Sequence, residues 1–293
     1  MEESEEFLSC ASDAQRHRPP TSNDKRLGSV LKVPIDQDSP FYAMNGKKRG
    51  KVLIFNHKKF DDNIYKEREG TELDVQNLRA SLSKLGFLEE DIVSHDDLSA
   101  IEIEWEAKEL CYDSTLVSCD CLITVILTHG EKDDRLMARD TSYHLYKFIE
   151  KFSPSQLPSM AGKPKLFIVQ ACRGRTLDSG RAVKRRRSLE DSVDASSEIF
   201  TYPEFADFLI VMSSHHGYRS FRKKVQGSWL IQDLCKVLNN CRVQHDSIYD
   251  ILTKTNLAVS KRISCNEEDE LDGKKQVSSF YSTLTRSLYF ARK

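Results

Sequence analysis

No stretch of the 293 residues approaches the roughly 18 consecutive apolar positions that a membrane-spanning helix requires, so no bilayer anchor and no membrane partner is expected. The amino terminus, Met1-Glu2-Glu3-Ser4-Glu5-Glu6, is acidic and lacks the apolar segment of a secretory signal. Cysteine is sparse, 8 in the whole chain, well below the density of disulfide scaffolds. These absences point to cytosol or nucleus, where thiols stay reduced and a special cysteine is catalytic or metal-binding rather than cross-linked. Metal is disfavoured in turn, because Cys119-x-Cys121 has no second ligand pair at zinc-site spacing; no cofactor is called for. Neither sign of charge predominates, with 44 Lys+Arg against 45 Asp+Glu. That balance excludes a globally basic nucleic-acid binder and a polyacidic tail protein. No internal repeat is visible.

The remainder is a chain with enough apolar residues for a sizeable core, arranged in alternating patterns. Residues 1–40 are polar and carry Pro19, Pro20, Pro34 and Pro40 without periodicity; they read as a mobile arm. Val52-Leu53-Ile54-Phe55 reads as a buried strand. A helix follows, with Thr71 as N-cap, Asp74 three residues on, an apolar stripe of Val75, Leu78, Leu82 and Leu85, and Gly86 just past its end. A second helical pattern carries Leu98, Ile101, Trp105 and Leu110. Cys121–Leu127, Leu166–Val169 and Phe208–Met212 are near-continuous apolar runs, as parallel strands covered on both faces require. Helices open at Ser228 and near Ser247, and a last strand is expected at Ser287–Phe290. Strands alternating with helices predict an α/β fold, a single domain with a central, mostly parallel sheet flanked by helices on both faces.

Between Gly174 and Asp207 no helical or strand period appears until Phe200. So long a structureless loop within a compact domain is usually functional. It divides the domain into a larger part, 41–194 with a linker at about 175–194, and a smaller part, 195–293, too poor in strands to fold alone. The loop holds Lys184-Arg185-Arg186-Arg187; residues 173–187 carry seven Lys/Arg against Asp178, a net of +6. The run is either an exosite for acidic substrates or RNA, a nuclear signal, or a solvated loop kept exposed for cleavage.

Ligands of parallel sheets bind beyond the carboxyl ends of the strands. His129 and Cys172 each follow a predicted buried strand, which sets an imidazole and a thiol on one sheet edge. A thiol becomes a strong nucleophile when a neighbouring base takes or shuttles its proton. Gly130 and Gly174 beside them free backbone amides for an oxyanion. The pattern suggests acyl transfer by cysteine.

Gln170-Ala171-Cys172-Arg173-Gly174, with His129 lying 43 residues upstream, resembles the caspase family. Arg68-x-Gly70-Thr71-x-x-Asp74, Thr128-His129-Gly130, Gly162-Lys163-Pro164-Lys165, Ala206-Asp207-Phe208-Leu209, Gly227-Ser228-Trp229 and Lys274-Lys275-Gln276 match in order and spacing, from about Phe41 to the end. The resemblance implies a cysteine endopeptidase cutting proteins after aspartate. Cys172 is then the nucleophile, His129 the acid and base, and the amides of Gly130 and Cys172 the oxyanion site, with the Lys66 carbonyl orienting the imidazole. By the same resemblance Arg68, Arg222 and Gln170 form the S1 pocket, with Ser220 also in the substrate-binding set. Phe221 stands where the family has an aromatic, and Trp229 helps shape S4. A buried aspartate needs fork-shaped cationic donors, which arginine supplies. Arg219 departs from the family, which commonly has an S2-lining aromatic there; Leu271 and Ser278 depart where relatives often carry an aromatic and a proline.

The resemblance further implies a zymogen activated by cleavage after aspartate. Asp191-Ser192-Val193-Asp194 before Ala195 offers aspartate at P4 and P1, with Asp178 and Asp191 as secondary sites, and Asp36 or Asp38 would release the arm. An arm so short and polar cannot build an adaptor bundle, which implies the short-prodomain effector (executioner) type serving apoptosis. The implied partners are an upstream initiator caspase, inhibitor-of-apoptosis type proteins and a second copy of the processed unit, paired through an edge strand near Ser287–Phe290. Two rival readings stand beside this one. One is a catalytically silent caspase-like scaffold; the other is a related protease with a different P1 preference, cutting after Arg or Lys, whose substrates two pocket arginines would repel.

Overall fold

The computed structural model describes residues 38–61, 65–174, 176–179, 203–265 and 270–291. Asp36, Asp194, Cys10, most of the arm and the basic run of the linker lie outside the described residues. No helix among the described residues is long and apolar enough to cross a membrane.

Among the described residues, ten short or medium strands and five α-helices follow one another. They are β1 (Lys48–Asn56), α1 (Thr71–Lys84), β2 (Ile92–Asp96), α2 (Ala100–Glu109), β3 (Cys119–Leu127), β4 (Arg135–Met137), β5 (Ser142–His144) and α3 (Leu145–Ile149). After these come β6 (Lys165–Gln170), β7 (Phe208–Met212), β8 (Arg222–Lys223), β9 (Gly227–Ser228), α4 (Trp229–Asn240), α5 (Ile248–Lys261) and β10 (Ser279–Ser282). Six strands form one sheet in the order β10-β7-β6-β3-β1-β2. All neighbours are parallel except β10, which runs antiparallel to β7. The apolar runs occupy the middle: every residue of β3, β6 and β7 is buried. Alternate residues of these strands feed two cores. One face packs Val52, Ile54, Ile123, Val125 and Leu209 against α1, α4 and α5, through Leu78, Leu82, Leu230, Leu234, Ile251 and Leu252. The other packs Leu53, Phe55, Ile126, Phe167 and Ile210 against α2 and α3, through Ile103, Ala107, Phe148 and Ile149. At about 1.5–3 kcal/mol per fully buried aliphatic or aromatic side chain, these layers dominate stability.

The sheet runs through both halves of the chain. The last strand before the linker, β6, and the first after it, β7, are neighbours in parallel register from Lys165↔Phe208 to Val169↔Met212. The smaller part thus contributes β7 and β10 to the shared sheet, and beside it holds, among the described residues, only the two-residue strands β8 and β9, paired with each other.

Four expectations need correction. Thr71 is the first helical residue of α1, and the N-cap is Gly70 at φ 82. A Cβ at Gly70 would lie 2.2 Å from the Lys224 carbonyl oxygen, so no other residue fits there. On α2 the inward residues are Ile103 and Ala107, whereas Ile101 and Trp105 are 71 % and 68 % exposed. The start is set by Ser99 and Glu102, a reciprocal capping box, which shifts the helix phase. Ser287–Phe290 is not a strand: Leu288 and Phe290 are buried as an irregular tail, with Ser287 bridging Phe41. The terminal strand and sheet edge is instead β10, whose polar, half-exposed Ser279-Phe280-Tyr281-Ser282 carries no apolar run to announce it. Finally, β2 and the hairpin β4–β5 have no counterpart in the sequence reading, being short and only partly buried.

Candidate active site

His129 lies two residues beyond the end of β3 and Cys172 two residues beyond the end of β6. Because β3 and β6 are adjacent and parallel, with Leu127 opposite Gln170, both residues emerge at one sheet edge. The Thr128 amide donates to the Gln170 carbonyl at 3.1 Å and carries the pairing past the strand ends. The two loops then touch: a Cβ built on Gly130 would fall 2.0 Å from the Cys172 carbonyl oxygen. Glycine at 130 is therefore required for the histidine and cysteine loops to close on one another.

The imidazole is fixed on several sides. His129 Nε2 lies 2.8 Å from the Lys66 carbonyl oxygen. A carbonyl only accepts, so Nε2 carries the hydrogen and Nδ1 keeps the lone pair. The Phe60 and Tyr65 rings pack at 5.1 and 5.3 Å. Burial pushes the histidine down to about 4, with further lowering from the Arg68 and Arg222 charges against the opposing Lys66 hydrogen bond. At neutral pH the ring is an uncharged base. The Cys172 sulfur is partly accessible and sits 3.7 Å from Ser220 Oγ and 3.9 Å from the Ser220 carbonyl. Three other cysteines are buried. Burial drives Cys119 and Cys235 up to about 11 and Cys121 higher still, which suppresses their thiolates.

Beside the sulfur is a pocket of cationic and amide donors. Gln170 Nε2 donates to Ser220 Oγ at 3.1 Å. Arg68, 3 % exposed, donates from Nη1 to the His57 carbonyl at 2.9 Å and to Thr71 Oγ1 at 3.0 Å. Thr71 in turn donates to Asn56 Oδ1 at 2.6 Å, so the residue expected to cap the helix braces the arginine instead. Arg222 hydrogen-bonds the Glu69 carbonyl. Burial, and then repulsion from Arg222, lowers Arg68 to about 9; burial also lowers Arg222. Among the described residues no carboxylate forms an ion pair with either guanidinium. Asp74 is the charge that favours both, but its oxygens accept from the Ser228 amide (2.8 Å), the Ser228 hydroxyl (2.6 Å) and Gln232 (3.2 Å). A buried guanidinium and a half-buried one thus lie together without an ion-paired carboxylate among the described residues, a setting suited to a carboxylate that brings its own negative charge.

A caspase-domain family model matches residues 49–289. The chain belongs to the caspase family. It is an aspartate-specific cysteine endopeptidase. It is 36% identical over 275 residues to Caspase-1 of Spodoptera frugiperda, covering 93% of this chain and 89% of that protein. It is 38% identical over 262 residues to Caspase-6 of Bos taurus, covering 86% and 87% respectively. The crystal structure of Caspase-1 from Spodoptera frugiperda superposes with a TM-score of 0.80, covering 90% of this chain and all of that one.

Of the remaining sequence candidates, the aromatic pair lies next to Ser220 and Arg222 in the chain. Phe221 stacks on Trp229 at 4.9 Å. Trp229 itself is 2 % exposed, so it backs Phe221 rather than forming an open wall. Asp38 is exposed. Asp178 is held by a bridge to Lys275, whose amide donates to its carbonyl at 2.8 Å. Two contributors escaped the sequence reading. Arg173 forms a two-pronged pair with Asp134 at 2.7 and 2.9 Å, tying the cysteine loop to the loop after Gly130. His57, fully buried, supplies the carbonyl that holds Arg68. Neither is signalled by spacing, since both act through folded neighbours.

Proposed function

We propose that this caspase is an executioner of apoptosis in the cytoplasm and nucleus, made as a zymogen and switched on by an upstream initiator caspase that cuts after Asp194. Removal of the arm after Asp36 or Asp38 accompanies processing, and the active form is a dimer of large and small subunit pairs, a target for inhibitor-of-apoptosis type proteins. One observation carries the catalytic reading: His129 and Cys172 share a sheet edge beside the buried Arg68 and the half-buried Arg222, neither of which is ion-paired to a carboxylate among the described residues.

The P1 aspartate enters between Arg68 and Arg222, with the Gln170 amide as a neutral donor. Cys172 Sγ attacks the P1 carbonyl carbon, its proton passing to the neutral imidazole. The developing oxyanion is held by the amides of Gly130 and Cys172. His129 then protonates the leaving amine. In the second half-reaction it takes a proton from water, which displaces the thiol and frees the acid. The Lys66 carbonyl, as acceptor from Nε2–H, steadies the imidazole while it is protonated. A cavity of about 560 Å³, lined by Tyr65, Gly130, Glu131, Arg135 and Gly174, offers room for the departing chain.

Peptides varied only at P1 test this reading with wild-type enzyme and Cys172→Ala. Cleavage is expected after Asp alone and is lost in the variant. Retained wild-type turnover in Cys172→Ala would reject the nucleophile, and cutting after Lys or Arg would reject the pocket.

A further inference from the structure

Ser220 and Arg222 both turn toward the P1 pocket: Ser220 meets Gln170 and the Cys172 sulfur, and Arg222 meets the Glu69 carbonyl. Phe221, between them, turns the other way and stacks on Trp229. In extended chain, side chains alternate in direction, so Arg219 shares the Phe221 face. This wall is pinned along its length. The Arg219 amide donates to the Thr176 carbonyl at 2.9 Å, and the Phe221 amide to Gln276 Oε1 at 2.7 Å.

A bound substrate obeys the same alternation. With P1 directed at Arg68 and Arg222, P2 points to the opposite side, onto Phe221 and Arg219. Arg219 is half-buried, and among the described residues its guanidinium has no hydrogen bond, ion pair or ring contact. Arg173 and Arg262, by contrast, are each locked in two-pronged carboxylate pairs. An aromatic face with an unengaged cation beyond it fits a side chain with a short apolar stem and a terminal carboxylate.

We infer that Arg219 makes the second subsite select glutamate, so that, on the P1 reading above, this caspase cuts preferentially after Glu-Asp. The stem packs on Phe221 and the carboxylate pairs with Arg219. Aspartate places its carboxylate one methylene short, and valine uses only the ring.

The test is a peptide series with P4, P3 and P1 held constant and P2 set to Glu, Gln, Asp, Val or Ala. Gln against Glu isolates the charge. For a partly exposed pair, kcat/KM for Glu over Gln is expected to be about three- to five-fold at low ionic strength, falling toward parity at about 1 M salt, where screening lengths shrink to about 3 Å. In Arg219→Tyr the ratio is expected to fall to one or below and the order to invert toward Val. A wild-type Glu/Gln ratio at or below one overturns the assignment, as does a ratio that survives in Arg219→Tyr. Should Arg219→Tyr not fold, the wild-type ratio and its salt dependence decide alone. Failure of the P1 reading is distinguishable: another P1 residue is then cut, and the P2 series is repeated on that residue.

Discussion

Arg222 and Arg68 repel one another, and their hydrogen bonds go to neutral carbonyl and hydroxyl oxygens. On the proposed reading, a P1 aspartate brings the negative charge this pair lacks, in the geometry that guanidinium forks match best. Replacing Arg222 by Gln removes a charge-assisted contact of about 1.5–3 kcal/mol. The expected result is a fall in kcat/KM for P1-Asp peptides of about 10- to 150-fold, with a much smaller fall for P1-Asn peptides; steady-state kinetics on the pair of substrates checks it. A second residue-scale consequence concerns acid. Burial holds His57 down to about 4 from 6.5, so the unfolded chain binds the proton more readily than the folded one. The sign is that stability is full above pH 6.5 and is lost as pH falls toward 4. The shift corresponds to about 3 kcal/mol, at 1.36 kcal/mol per unit. Urea unfolding at about pH 7 and about pH 4.5 is expected to show His57→Gln losing less stability on acidification than the wild type, by about 2–3 kcal/mol.

At the scale of elements, what could be read in advance was whatever the sheet interior imposes. Residues of β3, β6 and β7 are covered on both faces, so their sequences are continuous apolar runs, and for the same reason His129 and Cys172 were legible as neighbours at one sheet edge. The edges were not legible. β2 and β10 meet the sheet on one side only, so polar residues are tolerated and no run marks them. The tail at Ser287–Phe290 is apolar because Leu288 and Phe290 plug the core beside α1, not because it pairs in a ladder. The phase of α2 was misread because its exposed Ile101 and Trp105 imitate a buried stripe, while the capping box at Ser99 and Glu102 was the better guide. Likewise, the pocket arginines were visible as motif residues, but the Asp134 clamp on Arg173 was not. The correction at the edge moves the expected contact between two copies to β10, where Phe280 is 36% and Tyr281 58% exposed. An open strand flanked by aromatics invites pairing with a second copy. Tyr281→Arg is expected to raise the dimer dissociation constant at least ten-fold in sedimentation equilibrium, without altering the far-ultraviolet circular dichroism of the monomer.

At the scale of the whole molecule, one sheet is built from two stretches of chain, one ending with β6 and the other beginning with β7. β6 and β7 are paired through five residues, and their side chains share both cores, so a cut in the chain between them leaves this pairing in place. It nevertheless changes the molecularity of unfolding. An intact protomer unfolds to one chain, whereas a cut protomer unfolds to two, which must meet again before β7 can lie beside β6. Each processed protomer therefore gains one order in chain concentration. Its Tm is expected to rise with dilution reversed, that is, with increasing concentration, more steeply than that of uncut Cys172→Ala, and its refolding is expected to slow on dilution where the uncut chain's first-order phase does not. Calorimetry over a hundred-fold concentration range distinguishes the two; equal slopes would mean that the halves do not part on unfolding. Processing thus exchanges a protein that can refold by itself for one whose recovery depends on encounter, and an unfolded active enzyme at low abundance has no first-order route back.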